Sequence, residues 1–208
     1  MKRTLKRLSL VMIATALVFT GCKKDENNGG NAKPECVDLG LPSGTKWATF
    51  NVGATAPHEY GNYYAWGETT TKMEYVKENS VTYGQPMGDI SGNPTYDVAR
   101  ANWGSTWRMP TEEEMEELVN NCIWTWTTQN GVNGMKVTGR NGNSIFLPAA
   151  GVFDGSSRYD VGELGTYWSS TPKEGRDDCT YNLCFDSGDR DVSWVSRDYG
   201  PTVRPVSD

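Results

Sequence analysis

The N-terminus decides how much of this 208-residue chain is left to fold. Lys2, Arg3, Lys6 and Arg7 form a basic start, and Leu8 to Phe19 form an apolar stretch too short to span a bilayer comfortably. Gly21 and Cys22 close it, followed by the charged run Lys23-Lys24-Asp25-Glu26. Basic, apolar and small residues in that order are the pattern of a cleavable export segment. From Lys23 to Lys33 no apolar residue exceeds Ala32, so this Gly/Asn-rich stretch cannot bury enough surface to fold. The expected organisation is a signal at 1–21, a tether at 22–35 and a folded unit at 36–208. About 175 residues suffice for one domain around one core.

A small residue directly before Cys22 resembles a bacterial lipobox, in which that cysteine is lipidated and begins the mature chain. Lys24-Asp25-Glu26 is similar to the signal that sends Bacteroidota lipoproteins to the outside of the outer membrane. The resemblance implies an exported protein, anchored by lipid in the outer membrane and facing the cell surface. Four of the 20 basic residues lie in the signal, leaving 16 against 26 acidic ones and a formal charge of −10. Non-specific nucleic-acid binding needs a basic face and is disfavoured. Export also places Cys36, Cys122, Cys179 and Cys184 in an oxidising compartment, which allows two disulfides in any of three connectivities.

The clearest helix runs from Glu112 to about Asn121. Thr111 is a natural N-cap with Glu114 three residues on, acidic residues fill the first turn, and Met115, Leu118, Val119 and Cys122 share one face. Beyond it the period shifts to two. Met135–Thr138 and Ser144–Leu147 read as a hairpin around Gly139-Arg140-Asn141-Gly142. Tyr167–Ser170, Thr180–Asp186, Val192–Arg197 and Thr202–Val206 read as short strands between Gly/Asp/Ser turns. In the second of these, Tyr181, Leu183 and Phe185 alternate with Thr180, Asn182 and Cys184, which predicts a sheet with one solvated face. Lys46–Val52 and Asn62–Trp66 are further expected strands, with Thr69–Thr95 a long polar insertion. Eight Trp, ten Tyr and 23 Gly with few long apolar runs argue against a helical bundle. The expected class is α+β: one main helix, a twisted and mostly antiparallel sheet, and many loops.

Several segments stand in the order of one family. They are Val37-Asp38-Leu39-Gly40-Leu41-Pro42-Ser43-Gly44, Tyr63-Tyr64-Ala65-Trp66-Gly67-Glu68-Thr69, Trp107-Arg108-Met109-Pro110-Thr111, Ile145-Phe146-Leu147-Pro148-Ala149-Ala150-Gly151, Tyr167-Trp168-Ser169-Ser170-Thr171 and Val203-Arg204-Pro205-Val206. Trp124-Thr125-Trp126 and Asn130-Gly131-Val132-Asn133-Gly134 fall between them. Together they resemble the Fibrobacter succinogenes major paralogous domain of surface lipoproteins from gut Bacteroidota, over about residues 36 to 208. The resemblance implies a C-type-lectin-like fold related to the formylglycine-generating sulfatase modifiers, with the C-terminal strand returning beside the start. It brings no established reaction, and its aromatic, Gly and Pro residues speak to packing and turns.

Catalytic patterns are sparse. His58 is the one histidine, in a loop, which excludes His-rich zinc sites. Glu112, Glu113, Glu114, Glu116 and Glu117 fit a capped, solvated helix face better than a glycosidase pair. Cys179 and Cys184 have the spacing of a copper-binding pair in the sulfatase modifiers, but their flanks differ, and five residues apart on one strand they point to opposite faces. Asp186-Ser187-Gly188-Asp189-Arg190-Asp191 has a hard-cation composition that a polar hairpin tip explains as well. No catalytic residue, metal or cofactor is assigned.

The stretch from Lys173 to Tyr199 is rich in Tyr, Trp, Arg and Asp, the residue types of adaptable binding surfaces. The candidate ligand face comprises Arg176, Asp177, Asp178, Tyr181, Arg190, Asp191, Trp194, Arg197 and Tyr199, with Tyr159 added from a preceding loop. The expected function is a non-enzymatic binding module for a glycan or a protein. The same stretch resembles the variable region of diversity-generating-retroelement proteins, since randomised adenines in Asn codons yield Asp, Tyr, Cys, Ser, Arg and Gly; Lys173, Glu174 and Trp194 do not arise that way. A structural envelope or fimbria-associated component and a copper or redox enzyme are the remaining alternatives.

Overall fold

The computed structural model describes residues 34–208; the residues expected to form the signal, Cys22 and all but the last two residues of the expected tether lie outside them. In chain order the elements are β1 (Cys36–Asp38), β2 (Lys46–Ala48), α1 (Val98–Trp103), α2 (Glu112–Asn121), β3 (Ile123–Gln129), β4 (Val132–Thr138), β5 (Ser144–Pro148), β6 (Val152–Asp154), β7 (Ser157–Tyr159), β8 (Gly165–Pro172), β9 (Cys179–Phe185), β10 (Arg190–Ser196) and β11 (Val206–Ser207). The class is a β-rich α+β, with every paired strand antiparallel.

The α2 helix starts where its chemistry requires. Thr111 Oγ1 accepts from Glu114 N–H at 3.3 Å, and Glu114 Oε2 accepts from Thr111 N–H at 2.9 Å. Two donors at the helix start are thereby satisfied, and Glu112 N–H finds Thr171 Oγ1 at 3.1 Å. Met115 and Leu118 point into the main core, with Val119 and Cys122 packed beside them. The shorter α1, which the hydrophobic pattern does not announce, is capped by Asp97. That buried carboxylate accepts from Ala99, Arg100, Gly92 and Met109 N–H groups.

The hairpin read around residues 139–142 exists as β4–β5, but β3 adds a third strand. Asn130 and Gly131 both hold positive φ, 49° and 81°, the two-residue turn that matches strand twist. Trp124, Val137 and Ile145 form one inward rung, and Trp126, Met135 and Leu147 the next. These rungs join Tyr167, Leu183 and Phe185 from the β8–β9–β10 sheet in the main core, against α2.

The expected solvated face of that second sheet is not found. Thr180 and Asn182 are buried, and Trp168 packs into a second core with Tyr64, Trp66, Ile90, Val98, Met109 and Val203. The segment around Trp66 and the insertion at 69–95 cover this face, which alternation within β9 alone cannot reveal. Two indoles tie the layers: Trp66 Nε1 donates to Ser169 O at 2.9 Å and Trp168 Nε1 to Tyr64 O at 2.7 Å. Thr180 Oγ1 donates to Thr171 O at 2.7 Å, so its burial is satisfied.

Asn62–Trp66 forms no strand ladder. It runs extended beside the C-terminal segment, with Tyr64 N–H bonded to Pro201 O and Trp66 N–H to Arg197 O. Of the strand expected over Thr202–Val206, a bridge from Thr202 to Tyr167 and the short β11 are present. β11 pairs with β2, so the last strand lies beside the first elements of the domain. Preceding it, Arg204 is buried with each nitrogen donating a bond: Nε to Asn51 Oδ1, Nη1 to Ala48 O and Nη2 to Phe146 O.

Cys122, Cys179 and Cys184 are free thiols, so two disulfides among the four folded cysteines do not form. β9 is continuous from Cys179 to Phe185, and its pleat turns Cys179 and Cys184 to opposite faces. Burial pushes all three thiols above their ordinary pKa.

Candidate functional site

The register of β9 with β10 sets Trp194 opposite Tyr181. Directly opposed aromatic residues on an antiparallel pair lie close enough to support one another, so their backbone is fixed by the ladder. Lys173, just beyond β8, lies 4.7 Å over the Tyr181 ring and donates to its hydroxyl at 2.7 Å. Arg176, in the turn between β8 and β9, lies 5.4 Å over the indole of Trp194, which is 48% exposed. Asp178 holds Arg176 by a two-pronged ion pair, Nε to Oδ1 and Nη2 to Oδ2, both 2.9 Å. Those bonds pull the Asp178 carboxyl down to about 2. The result is two cation–aromatic pairs side by side on a hydrogen-bonded strand pair, with Arg176 and Trp194 exposed and Lys173 and Tyr181 half-buried.

Of the ten residues read as a ligand face, this patch assembles Arg176, Asp178, Tyr181 and Trp194. Asp177 adjoins it; its carbonyl accepts from Gly84 N–H at 3.1 Å, which docks the insertion against the turn. Arg197 does not belong to the face. It is 1% exposed, stacked 4.4 Å from Trp66, with Nε bonded to Cys179 O and Nη1 to Thr82 and Gln85 carbonyls. It is a buried latch for the insertion, a role hidden in sequence because its two acceptors there, the Thr82 and Gln85 carbonyls, lie 115 and 112 residues away. Arg190 sits at the opposite end of β10, 6.0 Å over Trp124. Asp191 pairs with Cys184 on the other side of the sheet from Trp194. Tyr159 is exposed on the separate β6–β7 hairpin, and half-buried Tyr199 faces Asp154, Asp198 and Lys77.

Sequence reasoning passed over Lys173 as a site residue, and with it Lys77 and Tyr83, which stack at 5.4 Å in the insertion. No spacing rule joins Lys173 to Tyr181; only the turn that closes β8 onto β9 does. His58 lies against the Asn130 side chain at 3.3 Å. Asp186 spends one carboxylate oxygen on Gly188 and Asp189 N–H groups, capping its own turn.

Two clefts lie elsewhere. One, about 490 Å³, sits between Trp126, the turn at 160–164 and Asp186 at the β9–β10 tip. The other, about 390 Å³, lies on the outer face of the β3–β4–β5 sheet. None of the ten residues lines either one.

The chain matches no protein-family model, no curated protein and no solved structure. What the fold and the site define is a β-rich α+β domain that presents paired cations and aromatic rings on a rigid antiparallel hairpin.

Proposed function

We propose that this chain is a lipoprotein anchored at the outer-membrane surface through Cys22, and that it acts as a non-enzymatic module binding a glycan or protein ligand. We read its fold as C-type-lectin-like, within the Fibrobacter succinogenes major paralogous domain. That reading draws support from the single well-capped main helix, the antiparallel sheets and the return of β11 to β2. The observation that carries the function is the exposed Arg176–Trp194 pair beside the half-buried Lys173–Tyr181 pair on a strand ladder. Rings and a guanidinium already held in place lose little freedom when a ligand docks, the condition for a hot spot.

The face centres on Trp194 and Lys173, neither of which adenine replacement in an Asn codon produces. A fixed recognition site is therefore the version proposed. The test is binding of the full chain to an array of glycans and extracellular proteins, beside the double variant Arg176→Ala/Trp194→Ala. A hit that the variant loses with its melting temperature unchanged is the expected outcome. A hit that the variant retains, or no hit at all, overturns the proposal for this face.

A further inference from the structure

The cleft on the outer face of the β3–β4–β5 sheet lies outside the face just described and is a built site in its own right. Its floor is Phe146, 5% exposed. The ring lies over Gly134, where a Cβ would come within 2.8 Å of the Phe146 Cζ and 2.3 Å of the Leu147 carbonyl oxygen. Glycine at 134 is what allows the ring to lie flat on the sheet. β5, the edge strand that carries Phe146, is held by Arg204, which donates to Phe146 O at 2.9 Å. The floor is apolar and rigid.

The rim is polar and uncommitted. The hydroxyls of Thr49, Thr127 and Ser144 and the amide of Gln129 form no side-chain hydrogen bond among the described residues. Lys136 is exposed on β4, also in the lining, and has no carboxylate partner among the described residues. Hydroxyls and amides both donate and accept, the complement of a polyol, whereas an ammonium only donates and suits a carboxylate. The folded region is strongly acidic overall, so it repels anions at long range, and an unpaired lysine here acts only at contact. At about 390 Å³ the cleft falls in the lower part of the size range of small-ligand sites.

We propose that this cleft binds an acidic saccharide: a hydroxyl-rich ring bearing a carboxylate, with the carboxylate on Lys136 and ring hydroxyls on Thr127, Gln129 and Ser144. The site is separate from the Arg176–Trp194 face. The experiment is calorimetric titration of the full chain, in a detergent without sugar head groups, with a galacturonate trisaccharide and with its neutral galactose counterpart. Wild type, Lys136→Gln, Thr127→Val and Arg176→Ala/Trp194→Ala are compared. The expected result is saturable binding of the acidic trisaccharide, about tenfold weaker binding of the neutral one, and about a tenfold loss in Lys136→Gln. Thr127→Val loses several-fold, and Arg176→Ala/Trp194→Ala binds as wild type. Absence of saturable binding, equal binding of the two trisaccharides, or indifference to Lys136→Gln overturns the proposal. Binding lost only in Arg176→Ala/Trp194→Ala also overturns it, and moves the ligand to the other face.

Discussion

At the residue scale, two arginines show how burial separates structure from recognition. Arg204 has no carboxylate beside it among the described residues, and burial pulls its guanidinium down to about 10, yet each of its three nitrogens finds an acceptor. Lysine cannot reproduce that geometry. Arg204→Lys leaves at least one buried acceptor orphaned and is expected to cost about 2–4 kcal/mol in urea unfolding. Arg176 is the opposite case, exposed and held by Asp178. That carboxyl titrates near 2, below the unfolded value of about 3.9, so the pair's contribution is complete above the unfolded value and lost as pH falls through about 2. Trp194 fluorescence should therefore hold steady from pH 7 down to about 3.5 and change nearer 2. A transition centred at 4 would show that the pair does not form.

At the scale of elements, Glu114 ties three segments together. Its carboxylate takes Arg108 Nη1 and Nη2, both at 2.7 Å, the Thr111 N–H that closes the capping box, and the Thr45 hydroxyl at 2.8 Å. Burial pushes its pKa up, but these bonds outweigh burial and leave it lowered. The stabilisation is present above the unfolded glutamate pKa and disappears as pH falls through the lower folded value. Glu114→Gln is expected to lose about 3 kcal/mol at neutral pH, and to lose less than wild type on acidification. The capping box of α2 was legible in sequence because Thr111 and Glu114 are three residues apart. The bonds to Arg108 and Thr45 were not: Arg108 lies six residues upstream, outside the cap pattern, and Thr45 arrives from the loop before β2, 69 residues away. The Asn130-Gly131 turn was a missed signal: it announces β3 as clearly as any strand in the chain.

For the whole molecule, the decisive event is closure of the 69–95 insertion over the β8–β9 sheet. Trp66 and Arg197 hold it, so Trp66→Ala is expected to cost about 3–5 kcal/mol and to open the insertion to limited proteolysis. Protease resistance equal to wild type would mean that the insertion is held by other contacts. Because Cys122, Cys179 and Cys184 are free, at least half-buried and raised in pKa, alkylation without reductant should label all three in denaturant and more slowly in the native protein, Cys179 slowest. A disulfide-linked peptide joining any two of them would contradict the fold.

The sequence by itself determined whatever depends on near neighbours. It set the cap and face of α2, the β4–β5 turn, the alternation that places Leu183 and Phe185 inward, and the opposite facing of Cys179 and Cys184. Tertiary structure decided which surfaces stay in water. It buried Thr180, Asn182 and Arg197, left Arg176 and Trp194 exposed, separated Arg190 and Asp191 from them, and brought Lys173 to Tyr181. Hydrogen-bond and pleat geometry repeat over two to four residues and can be read along a chain. Burial depends on what arrives from a hundred residues away, and a binding face exists only after that burial has been settled.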